Sequence, residues 1–134
     1  MNHRAALLFA NDRFYRAFAD ADMEAMAALW APDGPLTCLH PGWAPLTTRE
    51  DVLGSFSAIF EGPAPPAITT IAADVAIHGP VGIVICYEQI GTDYLVATNI
   101  FRQEGDGQWH LIHHQAGPAN EPPPQNEDAP DAIN

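Results

Sequence analysis

Residues 81–102 read VGIVICYEQI, GTD, YLVATNIFR: Val81–Ile90, the break Gly91-Thr92-Asp93, and Tyr94–Arg102. β-branched and aromatic residues fill both runs, and a short Gly- and Asp-bearing break separates them, which predicts two antiparallel strands joined by a hairpin. The same signature extends outward to Ile68–Ile77 on one side and Gln108–Ala116 on the other. Four consecutive strands with short turns make a meander. The half of the chain that precedes them has a different period.

Leu7, Ala10, Asn11, Phe14, Tyr15 and Phe18 recur at helical spacing, so residues 4–20 predict an amphipathic helix. Asp22 can cap a second, shorter helix carrying Met23, Met26, Leu29 and Trp30, which Pro32-Asp33-Gly34-Pro35 ends. Leu36–Leu39 reads as a strand that delivers His40 to a Pro41-Gly42 stop, with Trp43 next. Thr48 with Asp51 three residues later starts a third helix, whose stripe is Val52, Leu53, Phe56, Ile59 and Phe60; Gly62 stops it. Helices first and a meander after predict an α+β domain, with helices on one face of a curved sheet. That domain spans residues 1–117. The segment 118–134 is Pro-rich and acidic and reads as a tail outside the core.

The chain of 134 residues has five Arg, seventeen Asp plus Glu, no Lys and a formal net charge of −12. Nucleic acids and anionic membranes need clustered cations and are excluded as partners. The missing Lys removes Schiff-base chemistry and the phosphate-loop Lys. No apolar run approaches the roughly 20 residues of a membrane span, and no secretion signal is visible, so a cytoplasmic location is expected. No cofactor is expected, and no metal. His113 and His114 are neighbours on a strand and point to opposite faces, while His110 and His114 lie ~13 Å apart along it. Cys38 and His40 share a face, but a Cys inside an apolar run should keep its proton.

With Gly91-Thr92-Asp93 as a three-residue loop, Tyr87 faces Ala97 and Ile85 faces Asn99. With Glu104-Gly105-Asp106-Gly107 as the next loop, Asn99 faces Ile112 and Ala97 faces His114. One face then carries Ile83, Ile85, Tyr87, Ala97, Asn99, Ile112, His114 and Ala116; the other carries Glu88, Val96, Thr98, Trp109, Leu111, His113 and Gln115. A bulge or a one-residue error in loop length would exchange these sets. An apolar face holding a phenol, an amide and an imidazole suits a ligand pocket. Helices covering it would add Phe14, Tyr15, Phe18, Trp30 and Phe56, with Trp43 at the rim. The mixed second face would suit a homodimer.

The order Asn11-x-x-Phe14-Tyr15-x-x-Phe18, Asp22-Met23-x-Ala25-Met26-x-x-Leu29-Trp30, His40-Pro41-Gly42-Trp43, Ala97-Thr98-Asn99-Ile100-Phe101 and Trp109-x-x-Ile112-His113-His114 resembles the nuclear transport factor 2-like superfamily, in its SnoaL-like bacterial branch. The resemblance covers residues of about 4–117. It implies a cone-shaped curved antiparallel sheet closed by N-terminal helices around a pocket, and dimerisation through the outer sheet face. It also implies a general base just before a Pro at the end of the first strand, where His40 stands. Asn99 stands where isomerase-like members carry an oxyanion-stabilising acid, and Phe14 stands near their helix-one Tyr.

Two readings fit these residues. In the first, His40 is a general base or acid, Asn99 and Tyr87 polarise a carbonyl, and His114 assists. The chemistry would be isomerisation, cyclisation or dehydration of an apolar small molecule. Phe14, Tyr15, Phe18, Trp30, Trp43, Phe56 and Ile112 would bind it. In the second, the same pocket belongs to a non-catalytic ligand-binding or regulatory dimer module.

Overall fold

The computed structural model describes residues 2–124, which form α1 (His3–Ala19), α2 (Met23–Leu29), β1 (Thr37–Leu39), α3 (Arg49–Glu61), β2 (Thr69–His78), β3 (Val81–Ile90), β4 (Asp93–Gln103) and β5 (Trp109–Ala119). Each helix begins as the sequence predicts or within a residue or two of it. Asn2, Asp22 and Thr48 accept the backbone N–H groups of Ala5, Ala25 and Asp51, satisfying donors that a helix start leaves free. The strands form one sheet in the order β1-β5-β4-β3-β2, antiparallel except for β1 on β5. The fold is the α+β cone expected, with helices covering the concave face of the sheet.

Two details of register correct the sequence reading. The β3–β4 loop has two residues, Gly91 and Thr92, so Ile90 pairs with Asp93, Cys86 with Ala97 and Glu88 with Leu95. Gly91 has φ +60°, which fits the first central position of a two-residue hairpin turn and is cheap only for glycine. With the loop one residue shorter than expected, every β3 side chain moves to the opposite face. Val84, Cys86 and Glu88 point into the core. Ile83, Ile85 and Tyr87 point outward, so Tyr87 does not enter the pocket; Ile85 is 46% exposed.

The second correction is a bulge in the β4–β5 pairing between Ile100 and Phe101. Below it Phe101 pairs with Leu111 and Gln103 with Trp109; above it Asn99 pairs with His114 and Ala97 with Ala116. Phase changes once, so Trp109 and Leu111 are buried with His114 and Ala116, where the sequence reading had put the first pair outside. Ile112 sits at the irregularity, half-buried against the edge of the core. A further irregularity in β2, between Ile71 and Asp74, places Ala72 at φ +58°.

The core contains Leu7, Phe14, Met26, Leu29, Trp30, Val52, Phe56, Phe101 and Leu111, each 2% exposed or less. Each such burial stabilises the fold by roughly 1.5–3 kcal/mol before the entropy of ordering is subtracted. Arg49, at the start of α3, donates to the carbonyls of Ala27, Trp30 and Ala31 and fixes α3 to the end of α2. The strand β5 runs to Ala119, so the expected tail begins later than Pro118; its residues 125–134 lie outside the described residues. Among the described residues no helix is long and apolar enough to cross a membrane.

Candidate functional site

His40 leaves β1 into a turn whose geometry its next three residues dictate. Pro41 supplies a fixed φ, Gly42 takes φ +83°, and the Trp43 N–H donates to the His40 carbonyl at 2.9 Å. That is a type II turn, which favours Pro at its second position and needs the positive φ that Gly supplies at its third. Cys38 closes the loop behind it by exchanging two backbone hydrogen bonds with Leu46. The imidazole is thereby held 8% exposed, packed edge-on against Phe56 and Trp43 at centroid distances of 5.0 and 4.7 Å.

Hydrogen-bond directions fix its tautomer. The Ser55 hydroxyl donates its one hydrogen to the Val52 carbonyl at 2.6 Å, so toward His40 Nε2, 2.9 Å away, it accepts. Nε2 therefore carries the proton. Nδ1, which has no partner among the described residues, keeps its lone pair. Burial lowers the His40 pKa and favours this neutral form. The Cys38 thiol lies 3.6 Å from Nε2, and burial pushes its pKa up to about 12, so it stays a thiol as the sequence indicates.

His114, on β5, is oriented by a buried polar chain. Its Nδ1 lies 2.6 Å from Asn99 Oδ1. Asn99 in turn donates through Nδ2 to Asn11 Oδ1 at 2.7 Å and to the Tyr15 hydroxyl at 3.2 Å. Both hydrogens of the amide are used, so Oδ1 accepts from His114 Nδ1, and the free lone pair of His114 is on Nε2. Burial, with His40 and His113 nearby, lowers its pKa to about 3. The Tyr15 hydroxyl, accepting from Asn99, gives its own hydrogen to Glu88 Oε2 at 2.5 Å. Glu88 is 4% exposed, and burial raises its pKa; the Tyr15 bond opposes that shift but is the smaller effect.

These groups surround a cavity of about 150 Å³. Phe14, Tyr15, Phe18, His40, Phe56 and His114 line it as the sequence predicts, and Ile68, Ile90, Leu95 and Glu88 complete most of the wall. The rings of His40 and His114 are 6.4 Å apart. Asn99 is fully buried beneath His114 and does not reach the cavity. Trp30 stands behind Phe56, 6.1 Å ring to ring, and supports the wall from the core. Trp43, 47% exposed, covers the outer edge of His40. Neither Ile112 nor Tyr87 is in the wall. A larger groove, of about 310 Å³, lies between α1 and the β4–β5 turn and shares no residue with this cavity.

Glu88, Asn11 and Ser55 are the site residues that sequence reasoning missed. Glu88 was legible: Gly91-Thr92 read as a two-residue turn puts Glu88 opposite Leu95 and inside. Asn11 occupies a helix position among apolar residues, which marks its face but not its partner. Ser55 has no signal beyond lying one residue before Phe56.

The sequence profile of the SnoaL-like domain matches residues 8–121, and the chain belongs to that family. Among solved structures it is similar to a candidate dehydratase of the NTF2-like family from Streptomyces avermitilis. The two share 29% identity with a TM-score of 0.77, over 87% of this chain and 96% of that one. A candidate calcium/calmodulin-dependent protein kinase type II association domain from Thiobacillus denitrificans is 29% identical, with a TM-score of 0.71 over 83% and 93%. A candidate ketosteroid isomerase from Parabacteroides distasonis shares the fold at 14% identity, with a TM-score of 0.68 over 85% and 86%. No curated protein matches the chain.

Proposed function

We propose that this pocket protein is an acid–base enzyme that moves a proton at a carbon next to a carbonyl in an apolar small molecule, by isomerisation, cyclisation or dehydration. The observation that carries the reading is the pinned tautomer of His40, whose Nδ1 lone pair remains free beside an aromatic cavity. A neutral imidazole in an apolar site is a competent base near neutral pH. His40 would take the proton through Nδ1, charge would develop on the carbonyl oxygen, and the imidazolium would return the proton to another carbon or to a departing hydroxyl. His114, 6.4 Å away ring to ring and held neutral by burial, assists as a hydrogen-bond acceptor that orients the substrate through Nε2. Asn99 acts through His114, as a positioning residue. The dehydratase named for one structural relative, 29% identical, agrees with this class.

The test is exchange of solvent deuterium into carbons next to the carbonyl, followed by NMR over a panel of apolar ketones and enones. Wild-type protein should catalyse exchange, and His40→Ala should lose about 10²-fold or more, the usual weight of a general base. Equal rates in the two proteins would overturn the role of His40.

One observation favours the alternative of a non-catalytic binding module: the Asn99 amide is sealed, with both hydrogens used internally. Binding without exchange in the wild-type protein would select that reading. For assembly, the outer sheet face is the proposed homodimer surface, supported by Ile85, which points away from the helices and is 46% exposed. Sedimentation should give twice the chain mass, and Ile85→Lys should return the monomer; a monomeric wild type would remove the proposal.

A further inference from the structure

Glu88 is the one carboxyl among the described residues that line the cavity, and no Arg lines it. Its Oε2, 2.5 Å from the Tyr15 hydroxyl, accepts that group's one hydrogen, while Cys86 Sγ at 3.5 Å is the weaker neighbour. Its Oε1 has no protein partner among the described residues, yet it is not sealed in the interior. The titratable groups around it are Tyr15 on α1, Cys86 on β3, His114 on β5 and His40 after β1, and none supplies a positive charge. A buried carboxylate without a cation is costly, and the proton-bearing form removes the charge. The proton then belongs on Oε1, where Glu88 becomes a hydrogen-bond donor to whatever occupies the cavity.

The complementary groups are both acceptors: Nδ1 of His40 and Nε2 of His114. The remaining wall is apolar, with Phe14, Phe18, Phe56, Ile68, Ile90 and Leu95. At about 150 Å³ the space matches a cavity that holds benzene, and it is smaller than pockets for drug-sized ligands. With a chain charge of −12 and no cation in the wall, an anionic ligand meets only penalties.

We propose that the cavity selects an uncharged molecule of about one ring carrying both a carbonyl and a hydroxyl, with Glu88 Oε1–H donating to the carbonyl oxygen and one of the two imidazole lone pairs, His40 Nδ1 or His114 Nε2, receiving the hydroxyl hydrogen. The proposal rests on the functional reading above for the meaning of the carbonyl, but its test is binding and needs no turnover. Loss of exchange with binding intact would overturn the catalytic reading alone. Loss of the binding preference with exchange intact would overturn this one alone.

The probes are 4-(hydroxymethyl)acetophenone, acetophenone, 4-acetylbenzoate and a four-ring steroid enone, titrated calorimetrically into the full chain. The hydroxymethyl ketone should bind most tightly, with acetophenone about tenfold weaker. The near-isosteric carboxylate and the four-ring ketone should not bind measurably. Affinity for the hydroxymethyl ketone should fall as pH rises and Glu88 loses its proton. Glu88→Gln keeps an N–H donor on the cavity side, so its affinity should stay within about threefold of wild type and lose that pH dependence. Glu88→Leu should weaken both neutral ketones about tenfold or more. If Glu88→Leu does not fold, the Glu88→Gln pH profile decides. Equal binding of the carboxylate and the hydroxymethyl ketone, or a Glu88→Gln profile that still falls with pH, would overturn the proposal.

Discussion

The Ser55 hydroxyl has one hydrogen, and the Val52 carbonyl 2.6 Å away holds it. Helix α3 thus presents His40 with an acceptor, and only the Nε2–H tautomer satisfies that acceptor. Removing the hydroxyl leaves Nε2 beside the Cys38 thiol alone, a weak partner at 3.6 Å. Ser55→Ala should therefore mix the two tautomers of His40, readable from the ring nitrogens by ¹⁵N NMR without any substrate. Exchange activity should fall about twofold for an even mixture, because that part of the population then carries the proton on the reacting nitrogen. Ser55→Thr, which restores a hydroxyl, should recover both signals. An unchanged tautomer in Ser55→Ala would show that Cys38 or the turn, and not Ser55, sets the proton. Tyr15 shows the same logic one layer deeper: a phenol has one hydrogen, and Glu88 Oε2 at 2.5 Å takes it in preference to Cys86 Sγ at 3.5 Å.

At the scale of elements, helix α1 closes the cone by crossing β3 at Gly82. A Cβ on Gly82 would stand 2.5 Å from Leu7 Cδ1 and 2.6 Å from Cδ2, and Leu7 is fully buried with nowhere to turn. Gly82→Ala should cost about 1–3 kcal/mol as overpacking, measured by urea denaturation. Leu7→Ala alone also destabilises, but in the double variant the clash is gone, so the two costs should combine to less than their sum. Full additivity would mean that α1 shifts freely over the sheet. How the sequence disclosed the elements follows from such local facts. Helix starts at Asp22 and Thr48 were readable because a capping side chain and its target lie three residues apart. The β3–β4 register turned on whether Asp93 belongs to the loop, and the rule that Gly-X suffices for a two-residue turn would have settled it. The bulge at Ile100 and Phe101 has no local signature, because its role is to bring Trp109 and Leu111, on one side of it, onto the same buried face as His114 on the other. Tertiary packing sets that phase. So the sequence placed His40 and His114 together and left Glu88 on the wrong face.

Taken as a whole, the molecule concentrates its charge outside and holds an ionisable but neutral interior, and its stability should record this. His114 has a pKa of about 3 in the fold, against about 6.5 in an unfolded chain. Above pH 6.5 it is neutral in both states and has no effect on the balance. As pH falls below that, the unfolded chain binds a proton that the fold refuses. Stability is then lost down to about pH 3, by roughly 4–5 kcal/mol across the whole window. His40, also lowered, adds to the same limb. Glu88 acts in the other direction. Its pKa is raised from 4.5, so above that value the unfolded chain releases a proton that the fold retains, and stability falls as pH rises until Glu88 ionises in the fold as well. The opposed slopes give a stability maximum on the acidic side of neutral, which separate variants can take apart. His114→Gln cannot be protonated, so its denaturation midpoint should fall less than that of wild type between pH 7 and pH 4. Glu88→Gln, which can still accept from Tyr15, should lose less stability than wild type as pH rises from 5 to 8. If both variants kept the wild-type slopes, the pH response would arise from the outer carboxylates, and the interior groups would titrate as they do in water.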